Sequence, residues 1–356
     1  MTRTLTFATC ALLFFATGCL HPKLGPNSLP RDRAQYSVSL ADSWKEQTLL
    51  NIVKVRYVDP PVFVDVSSIV ASYTLSQNAT AGANILPNGG SNGALGGSVN
   101  FSNSPTITYA PLTGAAYIKS LMTPLPPAMV FSGIQNGLPA DSALLSSVIS
   151  INGLKNQQST VNGITPADPE FHRVRQLLRE IQLSDAVRMY VKESDKHQTD
   201  ILALRSKDIP PDILAASMEL RRLLHLNPDA TEFKLVYAPR PADDTEIAVL
   251  TRSIVGLLQA MAAQVEVPSE HLAQHRAFPG FETGHTLPNI VPMINIHSSN
   301  KKQADAFVSV YYRDTWFWID DGDLASKQAF AQLLMLFTMA ETGDKENLPV
   351  VTIPAR

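Results

Sequence analysis

Apolar positions along the chain change period several times, and each change predicts an element. Between Ser39 and Lys54 (SLADSWKEQTLLNIVK), Trp44, Thr48 and Ile52 recur every four residues. That spacing predicts a helix, which Asp59-Pro60-Pro61 stops. From Val62-Phe63-Val64-Asp65-Val66 the pattern alternates, continuing through Ile69, Ala71, Tyr73 and Leu75, and predicts a strand. Residues 77–105 are rich in Asn, Gly and Ser and carry no charge, so they read as a mobile loop or the tip of a long hairpin returning through Thr106–Tyr109. Two short helical patterns follow, Thr113–Met122 and Pro127–Asn136. The stretch Ser142–Ile151 becomes β-branched towards its end and stops at Asn152-Gly153, a hairpin turn signal.

The second half opens on a well-marked helix. Asp168 is its expected N-cap, Pro169 its first residue, and Phe171, Val174, Leu178 and Ile181 its buried stripe. Strands are expected at Asp185–Glu193, Thr199–Arg205 and Phe233–Tyr237, with a helix at Pro211–Leu226. A long amphipathic helix is expected at Thr245–Val265. The chain then predicts an aromatic hairpin, Ala306–Tyr312 with Trp316–Asp320, and a closing helix, Leu324–Glu341. Strands and helices mixed in this way give an α+β fold class. Its domains are expected at 36–163, with 77–105 as an insertion, and at 164–356, the polar stretch Lys155–Ala167 marking the boundary.

Composition narrows the possibilities. With 45% hydrophobic residues the body is globular, and a net charge of −3 gives no electrostatic footprint for nucleic acid. The N-terminus stands apart. Arg3 precedes an uncharged apolar run, Leu5–Phe15, whose eleven residues suit a secretory signal better than a membrane span. Small residues and a cysteine follow, Ala16-Thr17-Gly18-Cys19. This resembles the lipobox of bacterial lipoproteins, with Ala16 where a leucine is usual.

That resemblance implies removal of residues 1–18 and acylation of Cys19; the three prolines and the glycine within Leu20–Gln35 break every helical turn and predict a tether over 19–35. With Leu20 rather than aspartate after the cysteine, the resemblance implies attachment to the outer membrane facing the periplasm. Cys10 leaves with the signal, so the mature body holds no free thiol and no disulfide. The implied partners are the membrane, through the lipid, and another envelope protein.

Several motifs invite chemistry. Gly89-Gly90-Ser91-Asn92-Gly93 matches G-x-S-x-G without the flanking strand and helix that a nucleophile elbow needs. His271 and His275 are spaced to share one helical face, with Glu282 or His285 as a third zinc ligand, yet the set lacks an internal glutamate and does not close. Asp320-Asp321-Gly322-Asp323 lacks the EF-hand spacing and reads as a strand end, a turn and a helix cap. Trp316 and Trp318 share one face of their strand, opposite Phe317 and Ile319. Large aromatics are highly buried on average, which favours the core; facing outward, the pair would stack on a sugar or anchor a partner.

No coherent catalytic set emerges, and no cofactor is implied. The expected function is therefore a non-catalytic binding or assembly role in the envelope. The alternative is a membrane-tethered hydrolase acting on envelope polymer, with either the His271, His275, Glu282 and His285 region, where a metal would assist, or the acidic turn Asp320–Asp323 as its site.

Overall fold

The computed structural model describes residues 29–70, 73–85, 91–160, 163–194, 197–278, 290–340 and 351–354. They form an α+β architecture divided into two compact units, one drawn from 29–43, 64–111 and 351–354, the other from 44–63 and 112–340. Helix α1 (Leu29–Arg56) contributes to both. It starts well before Ser39 and so corrects the expected tether. Pro30 sits in its first turn, where the missing N–H would lack a helical partner anyway. Cys19, the signal segment 1–18 and the rest of the tether lie outside the described residues.

α1 ends in a Schellman motif. Asp59 N–H reaches Lys54 O at 2.8 Å and Val58 N–H reaches Val55 O at 3.1 Å, with Val58 at φ 63°. Glycine usually holds that left-handed position, and a side chain there costs about 1–2 kcal/mol.

In the first unit, β1 (Val64–Val70), β4 (Thr106–Pro111) and β16 (Val351–Pro354) form an antiparallel sheet in the order β1-β4-β16. Between β1 and β4 the chain makes a long hairpin, β2 (Tyr73–Ile85) with β3 (Ser91–Asn103), paired residue for residue. The uncharged segment is thus the hairpin of the two expected forms.

The second unit is built on a six-stranded sheet. It contains β5 (Val148–Ile151), β6 (Leu154–Lys155), β9 (Val187–Ser194), β10 (His197–Leu204), β11 (Glu232–Val236) and β12 (Glu246–Thr251), in the order β6-β5-β12-β11-β10-β9. Only the β11–β12 pairing is parallel. One face of this sheet carries Met189, Leu202, Phe233, Ile247 and Val249 into a single core. Three helices start on a proline at the position where its missing N–H costs nothing: α3 (Pro127–Gln135), α5 (Pro169–Leu183) and α6 (Pro211–Leu223). The expected stripe of α5, Phe171, Val174, Leu178 and Ile181, is fully buried. Helix α2 (Ala115–Met122), α4 (Ala140–Ser147) and a small β7 (Gln158–Thr160) with β8 (Gly163–Thr165) complete this part.

Three expectations are corrected here. Residues 246–265 are not one helix: β12 comes first, then α7 (Ile254–Ala262) with Ser253 Oγ capping Gly256 N–H at 3.1 Å. The strand is central, and Ile247, Ala248 and Val249 are buried on both faces, so no two-residue alternation shows in its sequence. The boundary at 163/164 falls inside one unit, because β5 and β6 belong to the same sheet as β9–β12. Asp168 does not cap α5 with its side chain; its carboxylate accepts from Lys155 N–H at 2.7 Å and ties β6 to the helix start.

The start of the polar stretch expected as a boundary turns into the core. Asn156 and Gln157 are 0% exposed. The Asn156 amide donates to Leu144 O, Leu145 O and Val148 O at 3.1, 2.9 and 2.7 Å, closing the C-terminal end of α4.

Candidate binding face

The aromatic hairpin forms as its pattern predicts. β14 (Ala306–Tyr312) and β15 (Thr315–Asp320) pair antiparallel, and β13 (His297–Ser299) adds to the other edge of β15. The turn is two residues long, Arg313 at φ 49° and Asp314 at φ 65°, the geometry for which Asn-Gly is usual. Side-chain contacts compensate for the strain. Arg313 donates to Asp59 at 2.9 Å and lies over the rings of Tyr57 and Tyr312, while Tyr312 OH also donates to Asp59.

Which way each face of the hairpin points decides the fate of the tryptophans. Phe317 and Ile319 are 0% exposed and face the core, Phe317 meeting Tyr57 edge-on at 6.0 Å. Trp316 and Trp318 are half-buried on the opposite face, which corrects the expectation that both belong to the core. The alternation of β15 forces this: one set must face outward, and the smaller, wholly apolar set fills the interior.

The outer face is organised across all three strands. Trp318 lies opposite His297 on β13 and Ser309 on β14, and Trp316 lies opposite Ser299 and Tyr311. The His297 and Trp318 rings pack at a 39° tilt with centres 4.9 Å apart; those of Tyr311 and Trp316 approach to 5.3 Å. Lys302 Nζ sits 5.2 Å above the Trp316 ring, and His297 Nδ1 is 3.3 Å from the Glu266 carboxylate. The Trp318 indole N–H is buried without an acceptor among the described residues, a desolvation cost of about 1–3 kcal/mol. Tyr311 remains 55% exposed. The result is an aromatic platform edged by an ammonium, an imidazole and a carboxylate.

The histidine set does not come together as a metal site. His271 lies in the short helix α8 (Ser269–Ala273) and is buried, its Nδ1 2.7 Å from Tyr57 OH. His275 follows the helix end, exposed, at φ 54°, so the two imidazoles share no helical face. Glu282 and His285 lie outside the described residues. Among the described residues no three His, Cys, Asp or Glu side chains are grouped to hold a metal.

Tyr57, pushed up to about 12 chiefly by burial, is a neutral phenol here. Asp59 is held below the usual carboxylate range, first by the Tyr312 hydroxyl and then by Arg313. The group is a structural clasp between the end of α1 and the hairpin turn.

Burial also pushes His271 below its ordinary 6.5, with Arg276 acting in the same direction. As pH falls, the unfolded chain therefore takes up this proton before the folded one. The associated stability is whole above about pH 6.5 and is lost as pH drops through the lowered folded value. Urea midpoints measured across that window should fall in the wild type and fall less in His271→Gln. Equal slopes would remove His271 from the acid response.

The acidic turn is used up locally. Asp320 Oδ1 accepts from Gly322 N–H at 2.6 Å, and Asp321 pairs with Lys327 at 2.6 Å. Asp323 caps α9 (Leu324–Ala340) through Ser326 N–H at 3.0 Å and also holds Asn295 at 2.8 Å. Ser91 opens strand β3, with no helix behind it, so the elbow geometry is absent.

One feature escaped the sequence reading. On the outer face of the six-stranded sheet, Arg188, Tyr190, Arg205, Thr231 and Glu232 line an open groove of about 490 Å³. Glu232 is already engaged by Lys192 at 3.2 Å. In the sequence Arg188 of β9 and Arg205 just past β10 read only as solvated polar residues.

Among the described residues no helix is long and apolar enough to cross a membrane. No family model, no curated protein and no solved structure matches this chain.

Proposed function

We propose that this chain is a lipid-anchored protein of the bacterial envelope, held through Cys19 at the outer membrane and facing the periplasm, and that it acts by binding another envelope protein. The observation that carries the binding role is the outer face of the β13-β15-β14 sheet, where two tryptophans that alternation excludes from the core stand half-exposed beside Tyr311, His297 and Lys302. Trp and Tyr are the side chains that concentrate binding energy at protein interfaces. Each offers a large rigid surface at small entropic cost, and Lys302 and Glu266 supply charges at the margin. The lipobox-like Ala16-Thr17-Gly18-Cys19 supports the address.

The test is crosslinking in the native envelope with Cys19→Ala and Trp318→Ala as parallel variants. The wild-type chain is expected to fractionate with membranes, carry acyl mass on Cys19 and give one discrete crosslinked species. Cys19→Ala should leave the membrane fraction, and Trp318→Ala should stay there and lose the crosslink. A crosslink indifferent to Trp318 would remove this face from the function.

A further inference from the structure

The longest strands of the chain are spent on a hairpin whose composition suits a solvent other than water. From Asp65 to Lys119 there is no charged residue in between, in a chain that is 17% charged. The pairing of β2 with β3 sorts this stretch into two sets. On one set of alternate register positions Leu75 pairs with Phe101, Ala81 with Leu95 and Ala79 with Gly97, Gln77 opposite Val99 being the polar interruption along β2. The intervening positions pair Ser76 with Asn100 and Asn78 with Ser98, all four of them exposed. By register one set is mostly apolar, with Gln77 in its middle and Ser91 and Asn103 at its two ends, and the other is uncharged and hydrophilic. The ladder is also continuous with its base, since Val70↔Thr106 in β1–β4 and Tyr73↔Asn103 in the hairpin keep the same register.

Length and edges turn this pattern into a specific inference. Each strand has thirteen residues. At about 3.3 Å per residue that is ~43 Å, and at the ~45° tilt of membrane strands it spans ~30 Å, the thickness of a bilayer's hydrocarbon core. Tyr73 and Phe101 stand at the base, where barrels place interfacial aromatics. Among the described residues this sheet has two strands, and β2 and β3 each leave one edge unpaired. Unpaired N–H and C=O groups are not tolerated in hydrocarbon, and a lone hairpin cannot close on itself.

We infer that several copies of this chain join their β2–β3 hairpins edge to edge into one closed transmembrane β-barrel, with the Leu75/Ala81/Leu95/Phe101 set towards lipid and the Ser76/Asn78/Ser98/Asn100 set lining an aqueous passage. The inference rests on the envelope reading only for which membrane is entered. The passage it describes is uncharged along its wall and suits hydrophilic solutes without selection by charge.

The test uses the full mature chain, diluted from detergent into phosphatidylethanolamine/phosphatidylglycerol vesicles loaded with a self-quenched dye. Wild type is expected to release the dye as an oligomer. Ala81→Arg with Leu95→Arg, at two paired lipid-facing positions, should reduce release at least about tenfold; Asn78→Arg, on the aqueous set, should stay within about twofold.

A second measurement holds if the arginine variants misfold. An environment-sensitive fluorophore on Ala81→Cys should shift to the blue on adding vesicles, and the same fluorophore on Asn78→Cys should not. Equal release by the double variant, or an Ala81 signal unchanged by vesicles, overturns the inference. So does a blue shift already present without lipid, which would mean that a second copy covers the face in water. Mass of the N-terminal peptide reports Cys19 acylation separately. Unacylated protein that inserts sinks the address and leaves the barrel; acylated, vesicle-bound protein with an unshifted Ala81 signal does the reverse.

Discussion

Arg252→Met should lower the unfolding free energy by about 3–5 kcal/mol, read as a fall in the urea midpoint at unchanged slope. Arg252 is buried, 6% exposed, and donates to four main-chain carbonyls: Leu145, Ser146 and Val148 through Nη1 at 3.0, 2.7 and 3.1 Å, and Gln157 through Nη2 at 2.7 Å. Burial draws the guanidinium down to about 10, still far above neutrality, so the side chain is a buried cation. Its counter-charge is the negative end of α4 rather than a carboxylate. Methionine fills similar volume and takes the guanidinium donors from all four carbonyls; Leu145 and Val148 keep the Asn156 amide, while Ser146 and Gln157 lose the Arg252 bond outright, at about 1–3 kcal/mol each. Arg252→Lys should recover less than half of the loss, because one ammonium cannot span carbonyls served by two separate guanidinium nitrogens. A loss below about 1 kcal/mol for Arg252→Met would show that Asn156, which shares the Leu145 and Val148 carbonyls, suffices alone.

Neighbouring residues of β15 should separate stability from binding. Phe317→Ala removes a ring with no exposure from the core and is expected to cost about 3–5 kcal/mol. Trp318→Ala, on the half-exposed face, should cost no more than about 1.5 kcal/mol and weaken partner binding by about thirtyfold, the scale of a single interface hot spot. The pair is informative together, measured by urea unfolding and by titration of the isolated crosslinking partner. Trp318→Ala unfolding as readily as Phe317→Ala would make the outer face structural and leave the binding role without its site.

Short-range chemistry was legible in the sequence. Prolines at 127, 169 and 211 mark helix starts because their lost N–H is free of cost only there. Asn152-Gly153 takes positive φ at both residues, as its hairpin reading requires. Asp323 caps α9 and Gly322 turns the chain, so an apparent calcium motif resolves into ordinary turn chemistry.

What failed depended on distant partners. β12 is flanked by β5 and β11, and only that enclosure explains an apolar run which in isolation fits a helix equally well. Asn156 and Gln157 look like linker residues until the carbonyls of α4 and Arg252 are brought to them. The face of the hairpin that points inward could not be chosen from alternation alone, since both sets are apolar and aromatic; the packing of Phe317 on Tyr57 decides it. In the uncharged hairpin the register, absent from the sequence, is what puts Phe101 and Leu95 on the same set as Leu75 and Ala81.

The clasp at the end of α1 has a kinetic consequence. Asp59 and Arg313 are 254 residues apart, so the contact that relieves two strained turns forms only after nearly the whole chain exists. Contacts of such separation form slowly, because the intervening segment must be ordered before the contact repays its closure entropy. Tyr57, buried against Phe317 and His271 in the finished fold, stays uncovered while the strands in between assemble. A chain ending before the turn at Arg313 would keep α1 and lose what α1 closes against. The last hairpin therefore sets the moment at which the second unit becomes native, however early its helices form.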